Sequence, residues 1–242
     1  MGTYRTEGII IKKRKLGESD QIVTFFSKHY GKVSAVAKGI RKPTSKKSSS
    51  LELLNWTVLF LAEGRNLDII TETEVKETYQ ELKENLIKSV YCFQILELID
   101  RLTVERQTNI QIFELLLQVF SLLSKWKKEN WQKIDLFLAS FTIKLLLNLG
   151  FWNEMEVQSE FGLSSKDTRR LRHLLEIKLE NIHKLDTDKQ TGVKIKEIVD
   201  DYTSLVLEGR LRSSKLIQKV NRLGLGNFQT LNTKIQTGKG IE

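Results

Sequence analysis

The sequence predicts an α+β chain in which a small closed β-barrel precedes an all-α region. Residues up to 79 hold five short runs rich in β-branched and aromatic side chains. From residue 82 the apolar spacing changes to the three-and-four rhythm of helices. The 242 residues include a single proline, Pro43, and long helices tolerate few.

The first run, residues 8–13, carries Ile9, Ile10 and Ile11. The second, 21–28, holds Ile22, Val23, Thr24, Phe25 and Phe26, and a turn at 29–32 places Gly31 at positive φ. Residues 33–38 alternate, so these two runs form a hairpin. Residues 39–50 hold Pro43, four basic residues and four serines, which predicts a mobile basic loop. Runs at 53–62, around Trp56, Val58 and Phe60, and at 67–75 complete five strands. Closure into a barrel removes their edges.

Helices follow over 82–102, 109–126 and 131–149. Thr108 is the expected N-cap of the second, and Gly150 ends the third. The third is the most apolar, with the breadth of a central bundle helix. Ser164 with Asp167 reads as a capping box opening a fourth helix through Leu179. Segments 193–207 and 214–223 make two more. The expected organisation is a barrel at 1–79, helices over 80–223 and a flexible tail at 224–242.

Charge is the strongest functional signal. The first 50 residues hold 12 Lys and Arg against Glu7, Glu18 and Asp20, while the rest is electrically balanced. Lys12, Lys13, Arg14 and Lys15 end one strand, and Lys38, Arg41, Lys42, Lys46 and Lys47 line the exit of another. Such a concentration fits a polyanion and binds nucleic acid in a salt-dependent way. The alternative is lysines that only keep a strand edge soluble. Tyr4 and Tyr30, at a strand end and a turn, are candidates for stacking on bases, or for packing on the rim. Phe25, Phe26, Trp56 and Phe60 are mid-strand and read mostly as core.

Other chemistry is thinly represented. His29, His173 and His183 are far apart and Cys92 is the only cysteine, so no metal and no cofactor is expected. Cys92 sits in an apolar helical segment and reads as packing. No nucleophile elbow or phosphate-binding loop occurs, so the chain is not read as an enzyme. Asp200 and Asp201 point about 100° apart on a helix and read as a solvated face. The first 14 residues lack a signal-peptide core, and no apolar stretch is long enough to span a bilayer. The expectation is a cytoplasmic protein without a membrane partner.

Several blocks resemble the RecO family of bacterial recombination mediators. Thr6-Glu7-Gly8-Ile9-Ile10 resembles its opening strand, and Gly17-Glu18-Ser19-Asp20 with the run at 22–26 its second block. The most specific block is Gly31-Lys32-Val33-Ser34-Ala35-Val36-Ala37-Lys38-Gly39-Ile40-Arg41-Lys42. The stretches 97–102, 147–151 and 207–215 are similar to its helical and C-terminal blocks. The resemblance implies an α+β multidomain protein, a five-stranded OB-fold β-barrel followed by an all-α helical domain. It implies binding of single- and double-stranded DNA and annealing of complementary strands. It further implies partnership with RecR, indirect service to RecA, and contact with the C-terminal tail of single-strand-binding protein through the helical domain. DNA contact is carried onto Lys38, Arg41 and Lys42, and Lys144 with Phe141 and Leu145 is taken as the tail pocket. Many members have a four-cysteine zinc insert after the Leu-Gly-Phe block, whereas residues 152–163 are short and lack cysteine.

The competing readings are a basic OB-fold scaffold that docks acidic protein tails without binding DNA, and a nucleic-acid hydrolase. Negligible DNA affinity near physiological salt would mark the scaffold. Metal-dependent loss of substrate would mark the hydrolase.

Overall fold

The computed structural model describes residues 2–223; the tail expected at 224–242 lies outside them. Five strands, β1 (Thr3–Leu16), β2 (Asp20–Ser27), β3 (Gly31–Ala37), β4 (Trp56–Ala62) and β5 (Asp68–Glu77), close into a barrel in the order β1-β2-β3-β5-β4. All neighbours are antiparallel except β3 and β5, which meet in parallel at Ala35–Asp68 and Val36–Ile69. That is the strand order of a five-stranded OB barrel, as expected. Ile10, Val23, Phe25, Val33, Ala35, Leu59, Leu61 and Ile70 fill it.

β1 is longer than its apolar run. A bulge at Ile11 shifts the register, after which Lys12 through Leu16 continue the ladder with Thr24 through Asp20. Charged residues with weak strand preference are held here by pairing with β2. Strand directions place the β1–β2 turn, the β3–β4 connection and the end of β5 at one end of the barrel, called here the upper end. The β2–β3 and β4–β5 turns lie at the lower end.

The segment 39–55 is folded rather than a mobile loop. Ile40, Leu51 and Leu54 are buried, and Leu54 N–H and Ile10 N–H exchange backbone bonds with Ile10 and Asn55 carbonyls, each of 3.0 Å. The Asn55 amide and Thr57 hydroxyl donate to the Ser50 carbonyl at 3.1 and 2.8 Å. Ile40 and Leu51 join the barrel core and Leu54 joins the cluster beside the helices, a pattern that periodicity does not detect.

The helices are α1 (Gln80–Glu84), α2 (Leu86–Leu102), α3 (Ile110–Ser124), α4 (Ile134–Asn148), α5 (Glu154–Glu160), α6 (Ser165–Glu176), α7 (Lys189–Val206) and α8 (Arg212–Leu223). Two 3-10 turns, Lys128–Lys133 and Leu179–Lys184, lie between them. Asn85 breaks the expected first helix by capping α2 through Lys88 N–H. Asn109, not Thr108, caps α3; the Thr108 hydroxyl donates instead to the His29 carbonyl at 2.7 Å. The fourth helix stops at Glu176, so Leu179 belongs to a 3-10 turn. α4 is central, packed by α2, α3, α6 and α7.

Barrel and helices share one apolar cluster. Ile9, Ile11, Phe26 and Leu54 join Tyr79, Leu82, Ile95 and Ile99. The connection between α2 and α3 straps the barrel: Arg106 N–H donates to the Lys32 carbonyl at 2.9 Å, and Glu105 bridges to Lys32 in parallel. This covers the part of β3 that β5 does not pair.

Candidate nucleic-acid interface

The basic residues lie in two sequence segments that the fold joins. Gly39 N–H donates to Asp20 Oδ1 at 2.7 Å, and Arg41 N–H donates to the Ser19 carbonyl at 2.9 Å. The Arg41 guanidinium donates to the Glu18 carbonyl at 2.8 Å. The start of the β3–β4 connection is thereby stitched to the β1–β2 turn. Lys15 pairs through Gln21 with Ala37, two strands away, a separation of roughly 10 Å. Both basic segments therefore reach the upper end.

Their side chains differ in role. Arg14, Lys38, Arg41, Lys42 and Lys46 are exposed, and none forms an ion pair among the described residues. Arg41 spends its guanidinium on the hairpin turn. Lys12 is an ion pair with Asp100 of α2 at 2.5 Å. Lys13 is half-buried, and desolvation lowers its pKa, with Glu52 opposing and Lys83 adding to the shift. Lys47 Nζ donates to the Ile70 carbonyl at 3.0 Å. Asp20 is held below the usual carboxylate range, first by the Gly39 N–H, with Lys38 and Lys42 adding to it.

OB barrels bind oligonucleotides on the face of strands 2 and 3 and the flanking loops. Here the helical part takes the lower rows of that face. Phe26 with Ile9 is sealed in the shared core. Lys32 Nζ, buried beside Phe26, caps α2 by donating to the Asp100 and Thr103 carbonyls at 2.5 and 2.6 Å. In the next row Lys12, Thr24 and Ser34 are neighbours, and the Ser34 hydroxyl donates to Glu105 at 2.9 Å. Only the upper part remains available.

The two tyrosines are not beside the basic segments. Tyr4 and Tyr30 pack together at the lower end, with ring centroids 4.7 Å apart. Tyr4 Oη donates to Asp68 at 2.5 Å, and Arg106 also binds Asp68. Burial, then the bond to Asp68, pushes the Tyr4 hydroxyl up to about 12. Phe25 and Phe26 are core, but Trp56 and Phe60 are half-exposed on the outer surface, under Lys76 and Arg5 at 4.8 and 5.5 Å. Alternation could have found them, since Trp56, Val58 and Phe60 share a face opposite Leu59 and Leu61.

The tail pocket needs correction in detail. Phe141 and Leu145 are both 0% exposed and face the bundle interior. Lys144 borders a depression of about 590 Å³ whose walls include Gln111, Glu114, Gln118, Leu147 and Leu175. Its Nζ donates to the Leu175 carbonyl, capping α6, and desolvation lowers its pKa. Asp200 is not on a solvated face. It accepts from Gln94 at 3.1 Å and from Lys196 at 2.5 Å, and burial raises its pKa against those partners. Cys92 is buried and its thiol is pushed up by desolvation. Among the described residues no group of three His, Cys, Asp or Glu is placed to hold a metal, and no helix is long and apolar enough to cross a membrane.

A closed barrel in OB order, basic at one end and mounted on helices, places the chain among the OB-barrel proteins. Residues 1–79 match the model of the N-terminal domain of recombination protein O, and residues 83–162 match that of its C-terminal domain. DNA repair protein RecO of Heliobacterium modesticaldum is 26% identical over 92% of each chain. That of Alkaliphilus metalliredigens is 33% identical over 59% of this chain and 56% of the relative. That of Symbiobacterium thermophilum is 34% identical over 62% and 58%. The chain spans less than two thirds of the latter two in those matches. The chain belongs to the RecO family of DNA repair proteins.

Proposed function

We propose that this protein is a non-enzymatic, cytoplasmic recombination mediator. Its barrel holds single- or double-stranded DNA at the upper end and promotes annealing of complementary strands. With RecR it helps RecA replace single-strand-binding protein. The observation that supports this best is the stitching of Lys38–Lys42 onto the β1–β2 turn, which gathers exposed cations from two segments. Phosphates neutralised there release counterions, so affinity comes without sequence preference.

In this reading the acidic tail of single-strand-binding protein binds in the depression beside Lys144. Leu147 and Leu175 would supply its apolar wall. The tail carboxylate would share the Lys144 ammonium with the Leu175 carbonyl.

Strand annealing by the purified protein tests the reading. Acceleration without nucleotide or divalent metal supports it. Absence of acceleration, together with tail-peptide binding and no DNA affinity, would replace it with the scaffold reading.

A further inference from the structure

We propose that Thr44 is a phosphorylation site for a kinase that selects basic residues, and that its phosphate turns down DNA binding at the upper end. This rests on the DNA-binding reading above and adds how that binding is regulated. Arg41 and Lys42 stand three and two positions before Thr44, the pattern that an acidic substrate groove recognises. The Arg41 guanidinium is held only by neutral carbonyls, which a kinase carboxylate replaces with stronger, charge-assisted bonds. Thr44 is at the corner of a β-turn over 42–45, which the Ser45 N–H closes by donating to the Lys42 carbonyl at 2.9 Å. Pro43 takes the first corner position, as such turns favour.

Five hydroxyl residues lie in this connection, Thr44, Ser45, Ser48, Ser49 and Ser50, and the structure separates them. Ser50 is buried and Ser45 half-buried. Ser48 spends its hydroxyl on the Ser45 carbonyl at 3.2 Å. Ser49 is exposed, but the Asn55 amide donates to its carbonyl at 2.8 Å and fixes its backbone. Thr44 is exposed, and neither its hydroxyl nor its backbone makes a hydrogen bond among the described residues. The turn can therefore lift into a kinase cleft with few bonds lost.

The chemistry is phosphoryl transfer. Thr44 Oγ1 attacks the γ-phosphorus of a nucleoside triphosphate, and the bond from that phosphorus to the bridging oxygen breaks. The nucleoside diphosphate leaves, and the hydroxyl proton passes to the kinase's carboxylate base. Lys38, Arg41, Lys42 and Lys46 lie within six residues of Thr44, exposed and without an ion pair among the described residues. The β1–β2 turn brings two carboxylates to them, Glu18 and Asp20, and Asp20 already accepts the Gly39 N–H at 2.7 Å. Glu52 pairs with Lys83, and Glu105 accepts from Ser34 in the rows below. Four cations against two carboxylates leave an excess of about two, which a phosphate of about −2 charge cancels. Cations that bind the phosphate are also withdrawn from DNA.

The test treats the folded protein with ATP and the catalytic subunit of cyclic-AMP-dependent protein kinase, which selects basic residues at those two positions. Peptide mass spectrometry is expected to find a phosphoryl group on Thr44 and to lose it in Thr44→Val. Binding of an oligothymidylate is then measured over a range of salt. The phosphorylated protein should lose about 1.4 from its log–log slope, two contacts at about 0.7 each, and Thr44→Glu about half as much. Thr44→Val should keep the wild-type slope. No phosphate on Thr44, modification of Ser48 or Ser49 in its place, or a Thr44 phosphate that leaves the slope unchanged overturns the proposal. Unmodified wild type that binds no DNA overturns the DNA reading and the regulatory half of the proposal with it, while the mass spectrum still decides the site.

Discussion

Glu97 of α2 caps α8 through Ser213. Its carboxylate accepts the Ser213 N–H at 2.9 Å, the Ser213 hydroxyl at 2.6 Å and the Arg212 N–H at 2.8 Å. Arg101, one turn on, donates to the Arg210 carbonyl at 2.7 Å. Two blocks more than 100 residues apart are thus one structural unit, and a negative group meets the positive end of a helix. Glu97→Ala should cost about 2 kcal/mol. Urea unfolding measures the loss, and limited proteolysis should cut at α8 first. Unchanged stability would show that the cap is idle.

Asp68 clasps the lower end of the barrel to the α2–α3 strap. Burial would raise its pKa, but the bonds from Tyr4 and Arg106 hold it below the usual carboxylate range. Because the folded value lies below the unfolded one, the stabilisation is complete above the unfolded value. It is lost as pH falls through the folded value. Arg106 is half-exposed, so Asp68→Asn should cost only about 1 kcal/mol near neutrality. The gap to wild type in thermal melts should close below about pH 4. A gap that widens in acid would contradict the assignment.

Lys196 and Asp200 form an ion pair with little exposure, 8% and 19% for the two side chains. Removing one partner leaves the other charge uncompensated, so Asp200→Leu should destabilise by about 3 kcal/mol. Adding Lys196→Met should restore most of the loss. A double-mutant cycle by denaturant titration reads the coupling, and additive losses would mean that the pair does not interact.

Gly31 is fixed by two constraints. It sits at φ 62°, and a Cβ there would overlap the Gln107 backbone. Gly31→Ala should therefore cost more than about 2 kcal/mol and loosen the strap. Hydrogen exchange of the Arg106 amide is the local readout; an unaltered rate would deny the coupling.

The barrel was legible because β-branched and aromatic runs alternate between turns. The length of β1 was not, since Lys12–Leu16 have strand geometry only by pairing with β2. Charge position was legible and charge use was not. Lys12 meets Asp100, and Lys32 and Lys144 cap helix ends. Those partners lie 31 to 88 residues away, and no local pattern announces them. Asp200 looked solvated because its partners come from α2 and α8 as well as its own helix.

Salt dependence of single-strand binding tests the central claim most directly. Wild type should show a log–log slope of about −0.7 for each phosphate contacted. Reversing Lys38, Lys42 and Lys46 to Glu leaves the hydrogen bonds of Arg41 and Asp20 in place. That variant should flatten the slope by about two and weaken binding to every sequence alike. An unchanged slope and affinity would contradict the account.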